Sequence, residues 1–176
     1  MITKYLSIHQ SNKDNKGNFD SMTSFEISTT INQAVDVIVG ALMNPENHPY
    51  WTNGLERFEI IKGKAGEVGS MANLHYSQKG RSYIMKDELI FFEPGKKYIS
   101  RISGEYIVAQ VETTLRPHEN YTIMELKWSG RGKTLLLKLL LPLLRRKMIR
   151  QSKEELETFR NLVETRGADF SSVQQH

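Results

Sequence analysis

Cysteine is missing from all 176 residues, which excludes disulfide bonds and thiol chemistry from any account of this chain. Long hydrophobic runs are missing as well. The greasiest stretch, Leu135 to Leu144, is interrupted by Lys138 and Pro142, whereas a bilayer crossing needs about 20 mostly apolar residues. No membrane span is expected. The N-terminus shows no apolar stretch followed by a small-residue cleavage site, so a secretory leader is not expected and a cytoplasmic location is. Local catalytic signatures are equally scarce. No nucleophile-elbow motif occurs, and His9, His48, His75, His118 and His176 show no short metal-ligand spacing. Gly63, Gly66 and Gly69 lack the strand-then-helix context of a dinucleotide loop. Neither a metal nor a cofactor is expected.

What is present begins with a modest positive charge, a formal +4 with a pI near 9.2. The bases do not gather into one nucleic-acid stripe, and nucleic acid, which needs many phosphate contacts, is not an expected partner. The densest cluster, Arg145-Arg146-Lys147 with Arg150, is soon followed by Glu154, Glu155, Glu157 and Glu164. A solvated helix face explains it most simply; a weak contact with an anionic membrane surface is the second reading. The length suits one domain, existing as a monomer or homodimer.

Residues 1 to 22, rich in Ser, Asn, Lys and Asp, read as a flexible N-terminal extension. The folded unit is expected over residues 23–166 and a flexible tail over 167–176. Ser24 to Ile31 alternates as a half-buried strand does. Asn32 is the expected cap of a helix over Gln33 to Leu42, and Asn44 with Pro45 can start a second short helix. From Leu55 the pattern is strands broken by turn residues: Leu55 to Lys62, Gly69 to Ser77, Tyr83 to Phe92, Lys97 to Ser103, Tyr106 to Arg116 and Tyr121 to Ser129. Their short links favour an antiparallel meander. Lys133 to Glu164 reads as one long helix stopped by Gly167, with a kink or break expected near Pro142, which lacks an amide donor.

One strand, two short helices, six antiparallel strands and a long last helix is the element order of the helix-grip fold. The segments Phe25 to Ile31, Val35 to Ile38 and Asn44-Pro45-Glu46-Asn47-His48-Pro49-Tyr50-Trp51 resemble the opening of the polyketide cyclase/dehydrase and lipid-transport superfamily, relatives of the START and birch-pollen-allergen proteins. Phe92 to Arg101 resembles their hairpin between the fourth and fifth strands, and Leu141 to Arg146 a proline-containing stretch of their last helix. The resemblance covers Thr23 to Glu164. It implies an α+β fold, a seven-stranded curved antiparallel sheet around a long kinked helix, with an apolar space between sheet and helix. Such folds serve carriers and enzymes alike.

Alternation assigns inward residues: Leu74 and Tyr76; Tyr83, Met85, Leu89 and Phe91; Val111, Thr113 and Leu115; Met124, Leu126 and Trp128. With Trp51 at the expected cavity mouth and Leu140 on the helix, the ligand-binding candidates are Trp51, Leu74, Tyr76, Tyr83, Met85, Val111, Thr113, Met124, Leu126, Trp128 and Leu140. His75 is the best single acid/base candidate by chemistry, yet its parity opposes that of Leu74 and Tyr76. Glu88, Glu112 and Glu125 are weaker candidates, since outward solvated carboxylates are the simpler reading. The expected function is therefore the binding or transport of a hydrophobic small molecule such as a lipid, quinone or polyketide-like compound. The alternative is an aromatase/cyclase-like enzyme acting on such a ligand.

Overall fold

The computed structural model describes residues 22–171; the expected extension, apart from Met22, and the last five residues of the expected tail lie outside the described residues. Strand β1 (Thr23–Ile31) buries Phe25, Ile27 and Ile31 on one face, as its period-two pattern requires. Helix α1 (Val35–Met43), a 3-10 turn (Pro45–Asn47) and α2 (His48–Trp51) lead to six consecutive strands. These are β2 (Leu55–Lys62), β3 (Met71–Gln78), β4 (Arg81–Glu93), β5 (Lys97–Ser103), β6 (Ile107–Pro117) and β7 (Thr122–Gly132), followed by α3 (Leu135–Arg166). All seven strands form one antiparallel sheet in the order β1-β7-β6-β5-β4-β3-β2. The first strand thus pairs with the last, and the α1–α2 connection carries the chain to the opposite edge.

The core lies where α1 and the second half of α3 meet the β1, β6 and β7 face. Ile38, Ala41, Leu42, Leu115, Met124, Leu156, Phe159 and Val163 are buried together there. Phe25 stacks on Trp128 with ring centroids 5.5 Å apart, matching their register as direct partners. Asn47 is fully buried and fully used. Its Nδ2 donates to the carbonyls of Ala41 (3.0 Å) and Ala168 (2.8 Å), and its Oδ1 accepts the Phe170 amide at 2.8 Å. Phe170, itself fully buried, lies edge-on to Phe159. The packed unit therefore runs past the expected boundary at residue 166.

Three local expectations need correction. Asn32 does not cap α1: the helix starts at Val35 behind Ala34, which makes no side-chain cap bond, and the Asn32 backbone and side-chain amides both donate to Glu164 Oε1 (2.7 and 3.1 Å). Glu164 on α3 thus holds Asn32 through its N–H donors, groups that an N-cap, which accepts helix amides with its side-chain oxygen, does not use. The last helix has no break at Pro142, one of the two outcomes expected there, and runs continuously for 32 residues. Thr134 caps its start through the Leu137 amide, and Gly167, at φ 72°, ends it with a bond to the Val163 carbonyl. The leucine tract is also not enclosed by the sheet. Leu141 is buried, while Leu135, Leu136, Leu139, Leu140, Leu143 and Leu144 are exposed. Asn44 does cap the 3-10 turn as expected, accepting the Glu46 amide with Pro45 at the first position. Among the described residues no helix is long and apolar enough to cross a membrane.

Candidate functional site

Register carries the inner face across the sheet. Phe58, Leu74 and Met85 are successive partners, as are Ile60, Ala72, Asp87 and Ile102, and then Leu89, Ser100 and Val111. Between Leu89 and Phe91 strand β4 has an irregularity at Ile90. An extra residue there reverses the alternation, so Phe92 pairs with the inward Tyr98 and Phe91, expected inside, stands exposed.

Where α1 and the 3-10 turn cross the β2–β5 end of this face, the two layers separate and leave a cavity of about 70 Å³. Its walls are largely apolar: Leu42 and Met43 of α1, Phe58 and Ile60 of β2, Ala72 of β3 and Leu89 of β4. Pro45, Ala65 and Gly66 also line it, and Ala65 is exposed, so the mouth opens between the 3-10 turn and the β2–β3 loop. Ligand pockets commonly measure about 300–1,000 Å³. At about 70 Å³ this one is several times smaller and opens at its mouth. No residue of α3 lines it, so the space expected between sheet and long helix is found instead under the short helices.

The polar groups on this wall are few. Asp87 enters from the middle of β4, and burial pushes its carboxyl up to about 6, opposed by hydrogen bonds from the Ser100 hydroxyl and the Glu88 backbone. Its Oδ1 is buried without a partner among the described residues. His48 packs its ring on Phe58 at a centroid distance of 4.4 Å, and its Nε2 lies 2.9 Å from the Leu42 carbonyl. A carbonyl only accepts, so Nε2 carries the proton and Nδ1 is the ring's acceptor. Burial lowers His48 to about 4, the Leu42 bond pulling weakly the other way, which leaves the imidazole neutral at pH 7. Tyr98 closes the back of the cavity with its hydroxyl held above its ordinary range by burial. An apolar box with one carboxylate and one neutral imidazole can accept a hydrogen bond from a ligand or take a proton from it. It offers no set of metal ligands: among the described residues no three His, Asp or Glu side chains converge.

The sequence-predicted ligand residues lie elsewhere on the same face. Leu74, Tyr76, Tyr83, Met85, Val111, Thr113, Met124, Leu126 and Trp128 share the inward register, yet none lines the cavity. Tyr76 and Tyr83 stack at 5.1 Å toward the other end of β3 and β4. Thr113 and Met124 are core residues, while Leu140 is exposed on α3. Trp51 packs edge-on against Phe159 and forms one wall of a second, polar cleft with Asn53, Gln151 and Glu155. The acid/base candidates do not converge. His75 bonds Glu59 at 2.8 Å beside Arg57, and Glu88, Glu112 and Glu125 pair with Arg101, Lys97 and Arg116. All four have the register opposite to the inner residues. Asp87 and His48 are what sequence reasoning missed as a pair. The signal for Asp87 was available: it sits between Met85 and Leu89 in the inward alternation.

Comparison with known proteins gives a fold and no closer relative. No protein-family model matches the sequence, and no curated protein does. Among solved structures, Ara h 8.0201 aligns with a TM-score of 0.68 at 16% identity, over 82% of this chain and 99% of that one. The Zhui aromatase/cyclase from a Streptomyces species aligns at 0.67 and 17%, over 83% and 96%. A START superfamily protein from Mycobacterium smegmatis aligns at 0.62 and 11%, over 76% and 94%. With seven antiparallel strands and one long terminal helix among its described residues, and with these similar solved structures, the chain has the helix-grip fold.

Proposed function

We propose that this protein binds a hydrophobic small molecule, inserting its hydrogen-bond-donating end, a hydroxyl, phenol or N–H, into the cavity beneath α1. The observation that carries this reading is a single one: an apolar cavity contains a buried carboxylate oxygen, Asp87 Oδ1, with no partner among the described residues. An unpaired buried acceptor is costly, and a donor supplied by a ligand removes that cost. Proteins of similar fold include an aromatase/cyclase and a START superfamily protein, which supports ligand binding in general and specifies no ligand.

Titration with phenol and with benzene tests it, because the pair differs by one hydroxyl. A hydrogen bond to a charged group is worth about 1.5–3 kcal/mol, so phenol should bind roughly ten- to a hundredfold more tightly, and Asp87→Asn should erase most of that preference. Ala72→Phe, which fills the cavity, should abolish both affinities. Equal binding of the two probes by the parent protein would sink the proposal.

A second reading, an aromatase/cyclase-like enzyme, is favoured by one observation. Two titratable groups lining one cavity are displaced in opposite directions from their ordinary values, Asp87 upward and His48 downward, as acid/base pairs are. In that case Asp87→Asn would depress turnover of a verified substrate while leaving its affinity within a few fold.

A further inference from the structure

The first half of α3 presents a second surface, independent of the cavity. Its exposed leucines, at 38–77% of their full accessible area, fall at 135, 136, 139, 140, 143 and 144. At about 100° per residue these six cover one half of the helix circumference, and the buried Leu141 lies on the other. Arg146 and Lys147 continue the leucine face one turn further on, and both are exposed. Tyr106, exposed on the β5–β6 connection, lies beside the helix start, its carbonyl accepting the Lys133 amide at 2.7 Å.

Charge identifies the occupant. Residues 131–153 contain 8 Lys and Arg and no Asp or Glu. The rest of the chain has 16 basic against 20 acidic residues and is net acidic. The excess positive charge of the protein is thus concentrated on the segment that exposes the leucines. A second copy seated on this face would oppose one basic segment with another. Nucleic acid would leave the leucines without apolar contact. A surface that is apolar below and anionic above satisfies both features, since Lys and Arg stems lie along apolar surface while their heads reach phosphate, and tyrosine suits the boundary between the two.

We propose that the leucine face of α3 docks flat on an anionic lipid surface, with Leu139 and Leu143 inserted at the headgroup boundary and Arg146 and Lys147 on lipid phosphates. The proposal goes beyond ligand binding in the cavity and stands or falls separately from it.

Vesicle flotation with the full chain tests it, using phosphatidylcholine vesicles with and without phosphatidylglycerol. The expected result is flotation with the anionic vesicles, weakening as salt rises. Each base near such a surface contributes about 1 kcal/mol, close to fivefold, so Arg146→Glu with Lys147→Glu should lower the partition coefficient by at least about 25-fold. Leu139→Ser with Leu143→Ser should lower it more than about tenfold, since apolar area buried at the boundary also sets the affinity. Both pairs are exposed, and an unchanged circular dichroism melt would show that the fold survives. Failure to float with anionic vesicles overturns the proposal, as does flotation that is indifferent to phosphatidylglycerol or to the Arg146 and Lys147 reversals. Sedimentation equilibrium showing a dimer that the leucine substitutions dissolve would assign the face to a second copy and overturn it too.

Discussion

The two halves of α3 belong to one continuous helix and have opposite fates. Residues 135–144 hold eight leucines, six of them exposed, with Leu143 at 77%. Residues 156–163 are richer in polar groups, yet Leu156, Phe159 and Val163 are buried, the last two completely. Leucine content therefore does not decide which half the protein encloses. The second half places its buried groups at spacings of three and four, a narrow stripe that one sheet face can cover. The first half spreads leucines over half its circumference, more than one sheet face can cover. Exposed apolar residues are ordinary singly, but a contiguous patch of them indicates an interaction surface.

The largest effect that would sharpen this contrast comes from truncating the enclosed half. Phe159 contacts Trp51 and Phe170 at ring distances of 5.2 and 5.9 Å. Phe159→Ala should cost about 3–5 kcal/mol in urea unfolding, and a loss under about 1 kcal/mol would show that this half is not the anchor.

The cavity end supplies the next effect, read as pH dependence. Asp87, raised from 3.8 to about 6, is protonated in the folded state and ionised in the unfolded state between those values, so its contribution to stability is lost as pH rises through that window. His48, lowered from 6.5 to about 4, is neutral when folded and charged when unfolded, so its contribution is lost as pH falls through nearly the same window. The slopes oppose and largely cancel, and the parent protein should show little dependence on these two groups from pH 4 to 6.5. Asp87→Asn removes one slope and exposes the other. Its stability should fall by on the order of 2–3 kcal/mol between pH 7 and pH 4, at 1.36 kcal/mol per unit of pKa displacement, beyond any fall in the parent. Parallel pH profiles for parent and variant would refute the assignment of Asp87.

The smallest effect belongs to the exposed half. Leu143→Ser should change stability in urea by no more than about 0.5 kcal/mol, as a surface substitution does. A loss above about 2 kcal/mol would show that Leu143 is enclosed in solution and would break the comparison.

Much of the fold was legible because strand alternation and turn residues are local signals. The bounds of β2 and β5 coincide with expectation, and the inward residues of β3, β6 and β7 follow the parity read from sequence. Legibility ended where one residue changes the count. The irregularity at Ile90 turns Phe91 outward and Phe92 inward, and nothing in Leu89-Ile90-Phe91-Phe92 distinguishes an even strand from a bulged one. It also ended where a distant segment fixes a local residue: Asn32 has a cap's chemistry, but its backbone and side-chain N–H groups donate to Glu164, 132 residues away. The cavity was the least legible feature. Its position depends on how far α1 stands from β2–β5, a distance between layers that no local pattern encodes, although parity was enough to put the overlooked Asp87 on the inward face.

Asn47 has a consequence in time as well as in space. Its side chain ties the end of α1 at Ala41 to Ala168 and Phe170, joining segments separated by more than a hundred residues. On the ribosome, β1 and α1 emerge long before either their pairing strand β7 or the peptide groups that satisfy Asn47. Such long-range closures slow folding, and a nascent chain lacking residues 168–170 holds a buried amide with two of its three bonds unmade. Completion of this fold thus waits for residues 168–170 to emerge, and the early segments remain without these partners while the rest of the sheet is made.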